Sequence, residues 1–354
     1  MSFINLILNS ALLWMYTETT WYVIITTILY FSLPWLFWGT LGILVALWFI
    51  KNQPVDEKTV NQVLGVDPFN CEDGPGHGGE YCMRVVAHRG GGYDYPENSL
   101  SAFRNSKEKG CSAVEFDLAF TKDHIPIIFH DETVERLTGR PGVVKEMTWD
   151  ELNKLDISFN HPLKEKFNGG ERIALFSDTI EQCLSHDLRV FIDIKETSLD
   201  IVPVVLDAYQ RHPELYKKAV VTSFHPLVIY MIRRRDPNVM GSLSYRPKIF
   251  STISYEGLTD SGPPRYSNPI RHSVARLLDT LNDWALTRFT HYVIGISVIL
   301  LHKDIISPRT IGEWRNRGIR VIAWSVNLPS EKLHFSKILK IAYLTDTLLA
   351  ERLP

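Results

Sequence analysis

The sequence predicts an α/β protein, a TIM-type (β/α)8 barrel with an N-terminal transmembrane segment and an inserted amphipathic helix. Three observations lead to this prediction. Short apolar runs alternate with helical stretches from Arg84 onward, which indicates βα units and a parallel sheet. The chain has 354 residues, enough for one barrel of about 250 residues and an appendage. The first 50 residues carry one charged side chain, Glu18.

Residues 1–50 are predicted to be a hydrophobic membrane anchor. Residues 21–50 carry no charge, and as a helix they reach about 45 Å, more than the ~30 Å hydrocarbon core of a bilayer. The 14 residues 3–16 are also apolar, but this run suits an interfacial helix better than a span. The basic region typical of a cleaved signal peptide is missing. We therefore expect an integral protein of the plasma membrane or an endomembrane.

Residues 51–83 are predicted to be a linker, because they are rich in Asn, Gln, Asp and Pro and then in Gly. Such a composition does not build a hydrophobic core. Lys51 and Lys58 are offset by Asp56 and Glu57, so the positive-inside rule assigns no orientation to the anchor.

The overall composition restricts the partners. A net charge of -2 and a pI near 6.6 give no basic surface of the kind that binds nucleic acid. The four cysteines follow no metal-site spacing. Two of them, Cys71 and Cys82, lie close together in the predicted linker, where they can form a disulfide if this part of the chain is extracytoplasmic. No protein partner is predicted.

From residue 84 to the C terminus, nine apolar runs are candidates for barrel strands. They are residues 85–87, 113–114, 125–129, 190–194, 219–223, 239–242, 293–298, 319–323 and 341–344. A barrel of this class has eight strands, so one run is expected to be an edge or loop segment. Residues 84–354 are accordingly predicted to form the barrel.

The first three runs end in imidazole and carboxylate side chains. His88 follows the first run, Glu115 and Asp117 end the second, and His130 follows the third. Side chains alternate along a strand, so Glu115 and Asp117 point the same way, about 7 Å apart. Two such carboxylates repel each other unless a cation lies between them, which favours a hard divalent metal, Mg²⁺, with Ca²⁺ as the alternative.

Eight short blocks, taken together and in order, resemble the signature of the glycerophosphodiester phosphodiesterase family. They are His88-Arg89-Gly90, Pro96-Glu97-Asn98-Ser99, Glu115-Phe116-Asp117, His130-Asp131, Asp193-Ile194-Lys195, Ser223-Phe224, Trp324-Ser325-Val326-Asn327 and Thr345-Asp346. The resemblance implies metal-dependent hydrolysis of glycerophosphodiesters, such as glycerophosphoinositol, to sn-glycerol 3-phosphate and an alcohol. The anchor and the insertion look most like the membrane-bound animal branch, whose catalytic domain faces the lumen or the cell exterior.

The resemblance also implies the chemistry of individual residues. Glu115, Asp117 and Asp193 would hold the metal, although the family more often has glutamate at the third position. His88 and His130 would serve as general acid and base, and the sequence does not say which of them acts first as the base.

Four further residues would bind the substrate. Arg89 and Lys195 would neutralise the phosphate, and Phe224 and Trp324 would line the pocket for the glycerol side.

Beside this set, Glu97 and Asp346 each keep two interpretations, and Ser99 keeps one. Glu97 could hold Arg89 or approach the metal. Ser99 fits the N-cap of a helix that begins near Leu100. Asp346 would bind a glycerol hydroxyl or only close the barrel.

The insertion at residues 248–290 is too long for an ordinary barrel loop. It contains apolar residues at helical spacing, with arginines among the polar positions, which predicts an amphipathic helix. The apolar positions are Val274, Leu277, Leu278, Leu281, Trp284 and Ala285. This helix either packs its apolar face on the barrel or lies on a membrane beside the active-site mouth. A span is disfavoured, because Asp279 and Asp283 would each cost about 2.5 kcal/mol or more in hydrocarbon.

Two other functions stay open. A lysophospholipase D acting on lysophospholipids or glycerophospho-N-acylethanolamines is favoured if the inserted helix forms a groove for an acyl chain. An inactive membrane scaffold is disfavoured, because the catalytic set is complete. The expected partners are therefore a glycerophosphodiester or lysophospholipid substrate and membrane lipids.

Overall fold

The structure is a computed structural model that describes residues 2–71, 81–255, 257 and 262–349. The chain divides into two compact units, of which the first ends at Lys51 and the second begins at Asn52.

Helix α1 (Ser2–Ile50) forms the N-terminal unit. From Ile7 onward its side chains are exposed, apart from Ser32 and Leu47, which are half-buried. The helix is long and apolar enough to cross a bilayer, by length and composition. Its 49 residues reach about 74 Å at 1.5 Å per residue. The predicted interfacial helix at residues 3–16 and the predicted span at residues 21–50 are therefore parts of one continuous helix.

Ten strands occur in the described part of the second unit. They are β1 (Val85–Ala87), β2 (Ala113–Phe120), β3 (Pro126–Ile128), β4 (Ala174–Leu175), β5 (Arg189–Ile194), β6 (Ala219–Thr222), β7 (Ser242–Tyr245), β8 (Val298–His302), β9 (Arg320–Trp324) and β10 (Ala342–Thr345). Eight of them follow one another around a ring in the order β1, β2, β5, β6, β7, β8, β9 and β10, and β10 pairs in parallel with β1. A parallel bridge from Val221 to Gly241 joins β6 to the start of β7. The fold is a TIM-like α/β barrel, as the sequence predicts.

The surplus predicted strand is β3, which lies outside the ring. It pairs antiparallel with β2, and β4 pairs antiparallel with β3. The reason is the length of the connection, because residues 121–125 are too few for the crossover that a parallel strand needs. The short strand β4 follows no pattern in the sequence and was not predicted.

Two strands begin later than their apolar runs. The run at residues 239–242 mostly precedes β7, and the run at 293–298 mostly precedes β8. In the second case a helix takes the first residues and ends at Gly295, which has a φ of 68°. A Cβ at this glycine would lie 2.5 Å from the backbone oxygen of Asn52, so the turn requires glycine.

One helix in the described part of the second unit precedes the first strand, and the others lie between or after the strands. They are α2 (Glu57–Leu64), α3 (Leu100–Glu108), α4 (Glu135–Thr138), α5 (Trp149–Leu152), α6 (Phe176–Ser185), α7 (Ile201–Arg211), α8 (Leu215–Lys218), α9 (Pro226–Arg235), α10 (Pro269–Ala285), α11 (His291–Ile294), α12 (Pro308–Arg315) and α13 (Pro329–Leu333). The π turn Leu286–Thr290 joins α10 to α11. Helix α10 is the predicted helix of the insertion. Its apolar side chains are exposed, so of the two alternatives left open, packing of this face on the barrel is excluded.

Part of the predicted linker is ordered. Val60, Val63 and Leu64 of α2 are buried together with Met83 against the apolar interior of the barrel. The prediction of a segment without a core is wrong for these residues, because apolar side chains at positions i, i+3 and i+4 share one helical face. The polar composition of the surrounding segment conceals this face.

Cys71 and Cys82 are both free and half-buried. The disulfide that the sequence left open is therefore not formed in the described structure.

Alternation along β2 separates the barrel interior from the layer beneath the helices. Phe116 points outward and packs against Phe176 of α6. Ala113 points inward and belongs to the apolar cluster that α2 covers. The next inward positions, Glu115 and Asp117, are buried carboxylates. The interior is therefore apolar at the amino ends of the strands and acidic toward their carboxyl ends.

Candidate active site

Three carboxylates converge inside the barrel. Glu115 and Asp117 lie on β2, and Asp193 lies on β5 in register with Asp117. One oxygen from each carboxylate lies within 4.8 Å of the others, and all three residues are buried. The two β2 carboxylates point the same way, as the alternation predicts, and β5 brings the third beside them.

These carboxylates fit a divalent metal. Buried carboxylates this close cannot all be ionised without a compensating cation, and carboxylate oxygen is the ligand that Mg²⁺ and Ca²⁺ prefer. Asp193 Oδ1 is buried and has no hydrogen-bond partner among the described residues, as expected for a ligand atom. The aspartate at this position reaches the cluster without the extra methylene of glutamate.

His88 lies in a tight turn directly after β1. Its Nδ1 is 2.5 Å from Asp346 Oδ1, and its Nε2 is 3.8 Å from Glu115 Oε2. Asp346 is fixed in turn by Asn327 Nδ2, which donates to its other oxygen at 2.7 Å. The carboxylate thus orients the imidazole and leaves Nε2 toward Glu115 of the carboxylate cluster, so Asp346 has a role that neither of its predicted interpretations included.

The turn that carries His88 depends on Gly90. This glycine has a φ of 77°, and a Cβ added to it would lie 2.8 Å from Ala102 Cβ in helix α3. The helix begins at the Ser99 cap, whose side chain accepts a hydrogen bond from Ala102 N, so the predicted N-cap is confirmed. The His-Arg-Gly order therefore serves close packing of the turn against α3.

His130 has a similar arrangement at the end of the β2–β3 hairpin. Its Nδ1 is 2.7 Å from Asp131 Oδ1. Arg136 Nε donates to the other oxygen of Asp131 at 2.6 Å, and the Nη atoms of Arg136 donate to both oxygens of Glu97. Glu97 also accepts a hydrogen bond from Arg89 Nη1 at 2.9 Å. Glu97 therefore holds Arg89, and Arg136 connects this pair to His130.

Arg89 and Lys195 place positive charge beside the carboxylates. Lys195 Nζ is 2.6 Å from Asp193 Oδ2 and 2.8 Å from Asp117 Oδ1. Arg89 Nε is 3.3 Å from Asp117 Oδ2, and the backbone N–H of Arg89 donates to Glu115 at 2.9 Å. Both cations are therefore fixed beside the carboxylate cluster.

Asn98 was missed by the sequence reasoning. Its side chain donates to Asp117 Oδ2 at 2.8 Å and accepts from the backbone N–H of Asp117 at 3.2 Å. It therefore fixes one carboxylate of the cluster. Its place in the Pro-Glu-Asn-Ser block was the available signal.

The buried carboxylates differ in their electrostatics. Burial, together with the charge of Asp117, raises the pKa of Glu115 to about 8. Burial also acts to raise the pKa of Asp117, but Lys195, His130 and Arg89 outweigh it and hold that pKa well below its usual value. Of the two β2 carboxylates, Asp117 therefore ionises more readily than Glu115.

The two histidines are shifted in opposite directions. Burial acts to lower the pKa of His88, but the charges of Asp346 and Glu115 overcome it, and the pKa rises. For His130, burial is stronger than the attraction of Asp117 and lowers the pKa. Groups shifted apart in this way are typical of an acid and base pair.

Phe224 and Trp324 form one wall at the same end of the barrel. Their ring centroids are 5.7 Å apart, and Ser325, which follows Trp324, lies 3.3 Å from His88 Nδ1 through its Oγ. His302, at the end of β8, extends the wall with its ring 5.0 Å from Trp324. Tyr255 of the insertion lies 4.9 Å from His302. The last two residues follow no sequence motif and were not predicted.

The structure thus gathers the predicted residues at the carboxyl ends of the strands. His88, Arg89, Glu115, Asp117, Asp193 and Lys195 are linked by direct contacts. His130 joins them through Asp131, Arg136 and Glu97. The arrangement would hold a divalent metal at the three carboxylates, with His88 and two fixed cations beside them, which suits hydrolysis of a phosphate ester.

Comparisons with known proteins agree with this chemistry. The family model described as "Glycerophosphoryl diester phosphodiesterase family" matches residues 88–349. Glycerophosphodiester phosphodiesterase 1 of Homo sapiens is 36% identical over 269 residues, 76% of this chain and 79% of that protein. The protein of the same name from Rattus norvegicus is 37% identical over 272 residues, 77% of this chain and 80% of that one.

A solved structure agrees in fold. The Oleispira antarctica phosphodiesterase in complex with the product sn-glycerol-3-phosphate superposes with a TM-score of 0.57 at 18% identity, covering 74% of this chain and 92% of that one. The family that the eight sequence blocks indicated is confirmed. The protein is a phosphodiesterase, and the chain belongs to the glycerophosphoryl diester phosphodiesterase family.

Proposed function

We propose that this protein hydrolyses glycerophosphodiesters, glycerophosphoinositol among them, to sn-glycerol 3-phosphate and an alcohol, with Mg²⁺ as its metal. One observation supports this most directly: three buried carboxylates within 4.8 Å of one another stand beside His88 Nε2 and Lys195 Nζ. Phosphodiester hydrolysis needs this combination of charge neutralisation and proton transfer.

Glu115, Asp117 and Asp193 would hold the metal. When bound, a divalent ion supplies positive charge to the non-bridging phosphate oxygens. Arg89 and Lys195 add positive charge to the same phosphate, and both are already fixed by ion pairs with the carboxylates. Their fixed positions reduce the reorganisation needed as charge develops in the transition state.

His88 and His130 would move the protons. One imidazole takes the proton of the glycerol 2-hydroxyl while the oxygen of that hydroxyl bonds to phosphorus. The other imidazole gives a proton to the oxygen of the departing alcohol as the bond between this oxygen and phosphorus breaks. A cyclic phosphate results. Water then opens it with the two imidazoles in exchanged roles. Each imidazole is suited to this task because a carboxylate holds its Nδ1 and leaves Nε2 for the substrate.

Arg136 is a positioning residue in this proposal, because it ties Asp131 to Glu97. Arg136→Ala should lower kcat by roughly 10- to 100-fold, the usual cost of losing a group that orients a catalytic one. KM should change less, and Arg136→Lys should recover part of the loss. Kinetics on glycerophosphoinositol, with a pH profile to follow His130, would measure this.

The control is Arg140→Ala, which removes an exposed arginine from the same loop and should leave kcat unchanged. Equal activity of the two alanine variants would show that Arg136 does not position His130.

A lysophospholipase D is the second candidate, and the exposed apolar side chains of α10 favour it. The two candidates are separated by offering purified protein with Mg²⁺ glycerophosphoinositol, glycerophosphocholine and lysophosphatidylcholine. We expect the water-soluble diesters to be cleaved faster. Turnover of lysophosphatidylcholine alone would establish the lysophospholipase D, and no turnover of any of the three would contradict the proposed activity.

We further propose that residues 1–50 anchor the protein in the plasma membrane or an endomembrane. Residues 51–83 would connect this anchor to the catalytic barrel of residues 84–354. The barrel would face the lumen or the cell exterior. The length and composition of α1 support the anchor. The protein should then stay with the membrane pellet during alkaline carbonate extraction. Complete release into the supernatant would contradict an integral anchor.

A further inference from the structure

Helix α10 is attached to the barrel by its polar side chains. Ala275 and Asp279 are its buried residues. Asp279 accepts hydrogen bonds from the backbone N–H groups of Phe250 and Ser251 at 2.8 and 3.2 Å. Asp283 accepts one from Tyr245 Oη at 2.7 Å. Both carboxylates of the helix therefore point toward the protein, the reverse of an ordinary barrel-covering helix.

The opposite face of α10 is apolar and exposed. Its large side chains expose between 44% and 75% of their surface. They are Ile270, Val274, Leu277, Leu278, Leu281 and Trp284. Soluble proteins rarely expose so many large apolar side chains on one helix, and such a patch marks a binding surface.

The exposed charges along this helix have one sign. Arg271 and Arg276 of α10 and Arg288 of the following π turn are exposed, whereas the acidic side chains of the helix are turned inward. A face of leucines, isoleucine and tryptophan flanked by arginines matches the interfacial layer of a bilayer, where arginines contact lipid phosphates. A twofold contact between copies would oppose the same arginines to one another, which disfavours a second copy of the chain as the occupant.

The helix lies at the catalytic end of the barrel. Tyr245, which holds Asp283, is the last residue of β7. Tyr255 of the insertion also contacts the ring of His302, and His302 contacts Trp324 in the aromatic wall. A surface bound by α10 would therefore adjoin the mouth of the site.

We propose that the outer face of α10 lies in the interfacial layer of a membrane and holds the mouth of the barrel at the lipid surface. The inference rests on the proposed function in that the substrates derive from membrane lipids. The apolar side chains enter the boundary between head groups and acyl chains, and Arg271, Arg276 and Arg288 contact lipid phosphates.

Lipid-attached quenchers test this contact in the full chain. Leu281→Cys, in a Cys71→Ser, Cys82→Ser background, carries a fluorophore on the outer face. The protein is reconstituted into vesicles of equal phosphatidylcholine and phosphatidylserine that contain doxyl-labelled lipid. We expect loss of most of the fluorescence at position 281. Glu181→Cys is the matched control, because Glu181 is exposed on α6, which covers another part of the barrel, and its label should lose little.

The outcomes separate the alternatives. Equal quenching at positions 281 and 181 would overturn the proposal. Protection of the label at 281 from aqueous iodide without quenching by doxyl lipid would also overturn it, and would indicate a protein contact. Charge reversal by Arg271→Glu with Arg276→Glu should reduce the quenching at 281. Hydrolysis of glycerophosphoinositol by the same vesicles is a separate readout, so failure of the lipid contact is distinguished from failure of the proposed activity.

Discussion

Replacing His130 by alanine is expected to lower kcat/KM for glycerophosphodiester hydrolysis by on the order of 10²- to 10⁴-fold, the usual contribution of a general acid or base. His88→Ala should have an effect of the same order. Both imidazoles are oriented through Nδ1 by a carboxylate, Asp131 for His130 and Asp346 for His88. Because the two act in one reaction, the double variant should be little less active than either single one.

The measurement is steady-state release of sn-glycerol 3-phosphate by each purified variant. His334→Ala is the control, since His334 is exposed and has no place in the proposed mechanism, and it should keep full activity. Thermal unfolding of all variants separates lost chemistry from lost structure. A folded His130→Ala variant within a few-fold of the parent protein would refute the proton-transfer assignment.

The carboxylate cluster should be equally sensitive, and its loss should be visible without any turnover. Asp193→Asn and Glu115→Gln each replace a carboxylate ligand by an amide but keep the shape of the side chain. We expect activity to fall by on the order of 10²- to 10³-fold or more, because metal and oxyanion stabilisation are worth several kcal/mol. Binding of Mn²⁺, followed by electron paramagnetic resonance as a probe of the Mg²⁺ site, should weaken in both variants.

Two further substitutions sharpen this prediction. Asp193→Glu restores the side chain that the family more often carries here and should retain both binding and activity. Glu196→Gln is the matched control, since Glu196 is also buried just beyond β5 but pairs with Phe120 N and Lys145. It should keep its Mn²⁺ binding even if it is less stable. Normal Mn²⁺ binding by a folded Asp193→Asn variant would exclude Asp193 as a ligand.

The barrel and most of its site could be predicted because strand alternation and loop position are local properties of the sequence. The acidic positions of β2 share a face by period two. Asp193, which lies opposite Asp117 in register, was identified through the family resemblance and not by a local pattern. The short connection between β2 and β3 also identifies β3 as a hairpin strand, a signal that the count of apolar runs overlooked. Strand boundaries before β7 and β8 could not be placed, because apolar residues there belong to turns and a helix instead.

Contacts between residues that lie far apart in the chain could not be predicted from the sequence. Asp346 lies 258 residues from His88, and Arg136 reaches Glu97 across 39 residues, so no local pattern reports either pair. The periodicity of α10 predicted an apolar face but not its direction, which depends on the hydrogen bonds of Asp279 and Asp283. Helix α2 was concealed for a different reason, because its three apolar side chains are diluted by a polar segment.

The most direct test of metal-dependent glycerophosphodiester hydrolysis begins by stripping divalent metal from the purified protein with a chelator. Hydrolysis of glycerophosphoinositol is then measured with and without added Mg²⁺. The stripped protein should be inactive. Added Mg²⁺ should restore release of inositol and sn-glycerol 3-phosphate, and Asp193→Asn should not recover. Full activity after stripping, or products consisting of inositol phosphate and free glycerol, would contradict the proposed chemistry.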